Sequence, residues 1–479
     1  MIDFWAYMVI CCIVPIVLLG TLWYGFLHPE GKKINHKWYQ VHFKLGSGKL
    51  KLDNIKRGVS IIGAAGSGKT ESVIYNLLQH FSRHGFCGIM HDYKDFELTE
   101  MAYPLFKDNT EIKFYTIAFD RVHHKVNPIA PRYLPNEESV NEVSRVLIQN
   151  LLEQKETVNA TTQFFNDAVE GLLAGLIWKL RTDHPNYCTL PHVIATFQSM
   201  TTKKLVRFLG SDRTSSSMAS AFINGIESEK QTAGVKSTLA NAFKKISSQK
   251  LFMVLSKDEV PLDINNREHL GVISIVNNPK YESAYAPIIA TICHTVIKQM
   301  CVRNRHRAFV LMEEAPTIKL LNMHRIPATL RSYDIATVYV MQDKVQNDML
   351  YGEKASKAIL GNLSYQFFGK VNDPDTAKYY EQFFELVKLP TRSISTSTGW
   401  SWESRITKGE REVSKRRANI FFRLRTGEFI AFADGKDRKI QFRLQPIHKE
   451  LPKITGVFDR EHVTQNYHRI FSEASRLLE

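Results

Sequence analysis

The segment Gly63-Ala64-Ala65-Gly66-Ser67-Gly68-Lys69-Thr70 constrains this chain more than any other. It fits G-x-x-x-x-G-K-[ST] at every fixed position, and it stands where that pattern has physical meaning. A compact apolar run at residues 59–62 precedes it and reads as a buried strand. Val73, Ile74, Leu77, Leu78 and Phe81 follow at helical spacing. Strand, glycine-rich turn and helix together make a cradle for phosphate. The glycines let the backbone wrap an anion without a Cβ clash, and the loop amides and helix N-terminus supply partial positive charge. Gly63, Gly66, Ser67, Gly68, Lys69 and Thr70 are therefore the expected nucleotide-binding residues. Lys69 is expected to reach the β- and γ-phosphates of ATP, and the Thr70 hydroxyl to bind Mg2+.

A phosphate loop of this kind calls for a parallel sheet, and the remaining pattern agrees. Residues 41–56 read as a hairpin around Gly46-Ser47-Gly48. Buried strands are expected at residues 86–91, 112–117, 272–276, 308–312, 336–341 and 365–371, with a last one at 429–433. Strand alternating with helix argues an α/β fold with helices on both faces. Between residues 135 and 258 strand signals give way to helical periodicity, with helices expected at 140–154, 163–181, 191–197 and 218–243. This reads as an all-α domain inserted between strands. The expected division is an anchor (1–32), a nucleotide-binding domain in two parts (33–134 and 259–458) around the insertion (135–258), and a tail (459–479). At 479 residues the chain has room for such a multidomain arrangement.

A phosphate-loop ATPase also needs an acid at a strand end to hold the hydrated Mg2+. Phe309-Val310-Leu311-Met312-Glu313-Glu314 supplies a pair. Glu313 is the expected metal-side acid, and Glu314 the expected base that orients the attacking water. Alone, two acids at a strand end read equally well as a solvated terminus; beside the phosphate loop they read as catalytic. Gln342, at the tip of the run 335–341, is placed to sense the γ-phosphate; the plain alternative is a strand cap. Arg331 is expected to reach a neighbouring subunit's phosphate as a finger if the protein forms a ring, and a surface salt bridge is the competing reading.

Residues 4–27 carry no charge. As a helix this run would extend roughly 36 Å, enough to span the hydrocarbon core of a bilayer. Trp5, Tyr7, Trp23 and Tyr24 mark its ends, and Lys32, Lys33 and Lys37 follow, so the bulk of the chain is expected on the cytoplasmic side of the membrane. The formal net charge of +15 suits nucleic acid or a membrane face, although it equally serves solubility. The six cysteines have neither a disulfide-framework spacing nor a zinc spacing, as expected in a reducing compartment. Between residues 402 and 425, Arg405, Lys408, Arg411, Lys415, Arg416, Arg417, Arg423 and Arg425 lie near Trp400, Trp402, Phe421 and Phe422. Cations and aromatics so mixed can hold phosphates and stack on unpaired bases; a solvated loop with Phe421 in the core is the alternative.

Taken together these segments resemble the TraG/TraD-type type IV coupling proteins of bacterial conjugation. The resemblance rests on the phosphate loop behind an N-terminal apolar run, on His91-Asp92-Tyr93-Lys94-Asp95-Phe96-Glu97, and on Lys125-Val126-Asn127-Pro128-Ile129. It also rests on Glu313-Glu314-Ala315-Pro316, on the Arg331 to Gln342 block, and on Gly427-Glu428-Phe429-Ile430-Ala431. It covers most of residues 50–445 in order. It implies a RecA-like motor and a membrane-anchored homo-hexamer that uses ATP and Mg2+ to drive single-stranded DNA with its relaxase, the relaxosome, into the inner-membrane components of a type IV secretion channel. The chain departs from the family in carrying Glu313 where an Asp is usual, in Tyr93 and Asp95, and in one apolar run where two membrane helices are common. A FtsK/HerA-like double-stranded DNA translocase and a protein-secretion adaptor with weak ATPase activity are the competing functions.

Overall fold

A computed structural model of the protein describes residues 14–17, 19–20, 37–121, 123–152, 160–225, 228–396, 404–443, 445–454 and 458–477. The chain divides into a first unit, Met1–Gln40, and a second, Val41–Glu479. In the first unit residues 14–17 and 19–20 are helical and Lys37–Tyr39 forms a single 3-10 turn. The expected anchor at residues 4–27 lies for the most part outside the described residues. Among those described, no helix is long and apolar enough to cross a membrane.

The second unit opens with the expected hairpin, β1 (Val41–Phe43) antiparallel to β2 (Leu50–Leu52). Its main element is a nine-stranded sheet. In chain order the strands are β3 (Val59–Ile62), β4 (Cys87–Asp92), β5 (Lys113–Ile117), β6 (Gly271–Val276), β7 (Ala308–Met312), β8 (Ile335–Met341) and β9 (Tyr365–Phe368). A separate two-stranded ribbon follows, β10 (Leu386–Thr396) paired with β11 (Ser404–Ser414), and then β12 (Glu428–Ala433) and β13 (Lys436–Gln441). The spatial order is β13-β12-β9-β3-β8-β7-β4-β6-β5. All neighbours from β9 to β5 run parallel, and β12 and β13 are antiparallel additions at one edge. Every residue of β3, β4, β6, β7, β8 and β9 is buried. Strands covered on both faces favour apolar side chains along most of their length, which is why these runs were near-continuous in sequence.

The helices between β5 and β6 interrupt this one sheet. Glu137–Leu151, Ala160–Asp183 and Leu190–Ser199 lie near their expected positions. The single helix expected over 218–243 is instead broken into Arg213–Met218, Ser220–Asn224 and Glu229–Ile246, preceded by Thr202–Gly210. A helix begins ahead of the expected span, where Asp212 caps it by accepting from the Ser215 amide, and the short helix after it ends at Gly225. β9 is shorter than expected because the chain leaves the sheet at Gly369 and offers the Lys370 carbonyl to the amide of Ala64 at 2.7 Å.

The stretch at 459–479 is a helix, Arg460–Arg476, which packs on Leu190–Ser199 and Gln249–Val254 of the insertion. The ring of Phe252 lies 5.0 Å from that of Tyr467, and His192 Nε2 lies 3.0 Å from Glu473 Oε2.

Candidate functional site

The order β3-β8-β7 places three strand ends side by side. The phosphate loop leaves the end of β3, Gln342 follows β8, and Glu313 and Glu314 follow β7. Residues separated by hundreds of positions thereby share one edge, as ligand sites in open parallel sheets do.

The loop is built by close backbone approach. A Cβ on Gly63 would meet Ser67 Oγ at 2.8 Å and Gly369 Cα at 3.3 Å, so a side chain there would crowd the loop. Gly66 and Gly68 hold φ of +74° and +85°, a region that disfavours side chains. The Gly63 amide donates to Met341 O at 3.2 Å, which ties the loop to the tip of β8. After the loop, Thr70–Ile74 forms a π-type turn that runs into the helix Tyr75–Arg83. Lys69 is buried and donates to the Gly63 carbonyl, with its ammonium 4.0 Å from Glu314 Oε1. Burial lowers its pKa, and Glu314 partly offsets that.

Glu313 and Glu314 are 1% and 2% exposed, so the reading of a solvated strand end does not hold. Their surroundings differ. Glu313 Oε2 accepts from the Tyr93 amide at 3.3 Å, and Oε1 lies 3.8 Å from the Lys94 ammonium. Its backbone carbonyl accepts from His91 Nδ1 at 2.9 Å. Burial, reinforced by the neighbouring Asp92, pushes its carboxyl up to about 8. Glu314 takes the left-handed conformation, φ 45° and ψ 52°, uncommon for a side-chain-bearing residue and a form of stored strain. The strain is held by Thr317, whose amide and hydroxyl donate to the Glu314 carbonyl at 3.0 and 2.7 Å. In this pose Glu314 Oε1 accepts from Gln342 Nε2 at 3.2 Å.

The residues fit an anionic phosphate and a divalent cation. No described residue accepts from the Gly66 or Gly68 amides, and the buried hydroxyls of Ser67 and Ser72 have no partner. A carboxyl as buried as Glu313 stays ionised at neutral pH only beside concentrated positive charge, which Mg2+ provides. Thr70, 9% exposed, begins the helix at the same edge.

Arg331 is not part of this cluster. It ends the helix Ile326–Arg331, which precedes β8. The seven residues of β8 separate it from Gln342 by roughly 20 Å. It is exposed, and among the described residues its guanidinium has no partner. It cannot reach the phosphate loop of its own chain.

The basic stretch before β12 is mixed. Trp400 and Trp402 lie outside the described residues, as do the side chains of Arg405, Lys408 and Arg411. Lys415 and Arg416 both pair with Asp437, at 2.8 and 2.9 Å, and so are held within the fold. Arg417, Arg423 and Arg425 are exposed, as is Phe422 at 38%. Phe421 is fully buried, its ring 4.8 Å from that of Tyr380.

Sequence reasoning missed Lys94 as a partner of Glu313, and the contribution of Gly369 and Lys370 to the loop. Lys94 stood in a noted segment without an assigned role. The contacts of Gly369 and Lys370 depend on sheet order, which no local pattern carries.

No curated protein matches the sequence significantly. Among solved structures, the unbound bacterial conjugative coupling protein TrwBdeltaN70 shares the fold with a TM-score of 0.67 at 12% identity, covering 88% of this chain and 93% of that one. TrwB in complex with the non-hydrolysable ATP analogue ADPNP matches with a TM-score of 0.63 at 13% identity, over 83% and 87%. VirB4 of Thermoanaerobacter pseudethanolicus matches with a TM-score of 0.53 at 12% identity, over 85% and 96%. The α/β fold is thus that of the conjugative coupling protein TrwB. The model of the family described as type IV secretory system conjugative DNA transfer matches residues 25–420. By that match, which spans most of its length, the chain belongs to the conjugative DNA transfer family of coupling proteins.

Proposed function

We propose that this chain is the ATP-hydrolysing motor of a conjugative transfer system, working as a membrane-anchored homo-hexamer that drives single-stranded DNA, with its attached relaxase, into a type IV secretion channel. The observation that carries the ATPase reading is the meeting of Lys69, Glu314 and Gln342 within 4.0 Å at one sheet edge, beside loop amides that no described residue satisfies. The nucleotides bound to TrwB, ADPNP in one structure and ADP with Mg2+ in another, support ATP and Mg2+ as the ligands here.

In this reading the Gly66 and Gly68 amides and Lys69 hold the phosphates. Thr70 and Glu313 hold Mg2+, which when bound neutralises phosphate charge. Glu314 accepts a proton from the attacking water, and its strained backbone fixes the direction from which it does so. Gln342, hydrogen-bonded to Glu314, reports whether the γ-phosphate is present. Glu313, at the end of β7, would supply the metal-side carboxylate in place of the family's Asp. Arg331, out of reach of its own phosphate loop, serves the neighbouring subunit. The partition into anchor (1–32), motor (33–134 and 259–458) and helical insertion (135–258) belongs to the same proposal. So does an inner-membrane location with the bulk of the chain in the cytoplasm.

The test is ATP turnover by the full-length chain in lipid nanodiscs, with single-stranded DNA, with double-stranded DNA and without DNA. Turnover raised by single-stranded DNA and abolished by Lys69→Ala is the expected result. Turnover raised only by duplex DNA would replace the proposal with a duplex translocase. Binding of ATP with no DNA-stimulated turnover would replace it with an adaptor.

A further inference from the structure

The phosphate loop has a second wall that its motif does not include. The turn Thr426-Gly427, just before β12, lies against its outer side. The Thr426 hydroxyl donates to the Gly66 carbonyl at 2.9 Å, across 360 positions of sequence. The Gly427 amide donates to the Ser67 carbonyl, also at 2.9 Å. The fit is tight: a Cβ on Gly68 would lie 2.9 Å from the Gly427 nitrogen, and Gly427 itself has φ +77°. The turn is held from behind. Phe442 donates its amide to the Gly427 carbonyl at 3.0 Å, and the Phe442 ring packs 5.7 Å from each of Phe43 and Phe429.

These two bonds have a directional consequence. In a trans peptide the C=O and the following N–H point in opposite directions. Fixing the Ser67 carbonyl on Gly427 therefore turns the Gly68 N–H away from the turn and into the hollow of the loop. That N–H has no acceptor among the described residues. Fixing the Gly66 carbonyl on Thr426 does the same for the Ser67 N–H, which is satisfied by Ala64 O at 3.1 Å and so closes the loop on itself. Without the clamp the Ser67–Gly68 peptide would be free to rotate and the loop around it looser, and ordering them would count against ligand binding.

We infer that Thr426 and Gly427 are positioning residues for nucleotide binding: a clamp contributed by the C-terminal part of the chain that pre-orients the Gly68 amide toward the phosphates of a nucleoside di- or triphosphate. The inference rests on the ATP-binding reading above and adds two residues that the phosphate-loop motif does not contain.

The test is titration of the full-length protein in nanodiscs with a fluorescent N-methylanthraniloyl-ATP, for wild type, Lys69→Ala, Thr426→Val and Thr426→Ser. Thr426 is exposed and valine preserves its shape, so the thermal unfolding midpoint should not move. The expected Thr426→Val result is a Kd for ATP and for ADP raised about three- to tenfold, the size of one lost hydrogen bond. Thr426→Ser, which keeps the hydroxyl, should restore wild-type affinity, whereas a merely structural role for the side chain would not distinguish the two. In steady-state turnover the change should fall on KM and leave kcat alone. Wild-type affinity in Thr426→Val, or equal weakening in Thr426→Ser, would overturn the clamp and leave the ATP-binding reading intact. A wild-type protein that fails to bind the probe, indistinguishable from Lys69→Ala, would overturn that reading and the clamp with it.

Discussion

At the sheet edge formed by β3, β8 and β7, buried charges lie together and some buried hydroxyls have no partner, whereas most buried polar groups of the helical insertion are paired within the chain. On the first side stand two carboxyls at 1% and 2% exposure, a buried lysine, the unpaired hydroxyls of Ser67 and Ser72, and a glutamate in the left-handed region. On the second, Ser215 donates to the Leu209 carbonyl at 2.5 Å, Thr232 to the Gly225 carbonyl at 2.7 Å, and His192 is bonded at both ring nitrogens. Ser144 and Thr196 are the exceptions there. Unpaired buried groups cost stability, and a fold tolerates them where a ligand completes the set. The insertion is arranged for its own packing, and the sheet edge for something it binds.

This contrast is broken if the two regions respond alike to substitution. The largest effect is expected at Glu314→Gln. Loss of the base should lower kcat by about 10²- to 10⁴-fold. ATP affinity should hold within about threefold, because the amide retains the hydrogen-bonding shape offered to Gln342. Rapid-quench hydrolysis beside equilibrium binding separates the two quantities, and a parallel loss of both would mean that Glu314 is a packing residue. A cavity in the insertion should do the reverse. Leu176 is fully buried in the helix Ala160–Asp183, and Leu176→Ala should cost about 2–5 kcal/mol of unfolding free energy with nucleotide affinity unchanged. Denaturant unfolding measures the first and titration the second. A change in affinity would show that the insertion and the phosphate loop are energetically coupled.

The same division governs what was legible in the sequence. β3, β7 and β8 announced themselves because strands buried on both faces are mostly apolar, and the phosphate loop because glycine and lysine are fixed there by sterics and charge. β10, β11 and β13 gave no such signal. β10 and β11 carry Pro390 and Gly409 within their ladder, and only one residue of β13 is buried. The turn between β12 and β13 was nonetheless readable: Asp434-Gly435, both at positive φ, is a strong hairpin pair. The left-handed backbone of Glu314 and the 3.8 Å approach of Lys94 to Glu313 follow from sheet order, and no local pattern encodes them. The break of the expected 218–243 helix shows the opposite failure. Helical periodicity survived across Asn224-Gly225, where the short helix ends.

The smallest expected effect sharpens the comparison from the insertion's side. His192 joins the insertion to the C-terminal helix. The Thr189 hydroxyl contacts Nδ1 at 2.7 Å, Glu473 lies at Nε2, and Arg469 holds the other side of Glu473 at 2.7 Å. Burial lowers the pKa of His192, and the attraction of Glu473 does not fully offset it. Glu473 is itself lowered: its bonds to His192 and Arg469 outweigh the opposing effect of burial. A histidine whose folded pKa is depressed binds fewer protons in the folded than in the unfolded chain, so stability is full above its ordinary value near 6.5 and falls as pH drops below it. A depressed glutamate adds loss of the same sign at lower pH, below its ordinary range near 4.3. The insertion should therefore weaken between pH 7.5 and 5.5. His192→Gln, which keeps a donor toward Glu473, should flatten that slope while costing about 0.5–1.5 kcal/mol at pH 7.5. Denaturant midpoints at three pH values measure it, and parallel slopes in the two proteins would show that the titration lies elsewhere. The effect is small because Glu473 remains partly exposed and water relieves the charge. At the sheet edge the corresponding charges are sealed from water, and there the relief has to come from a ligand.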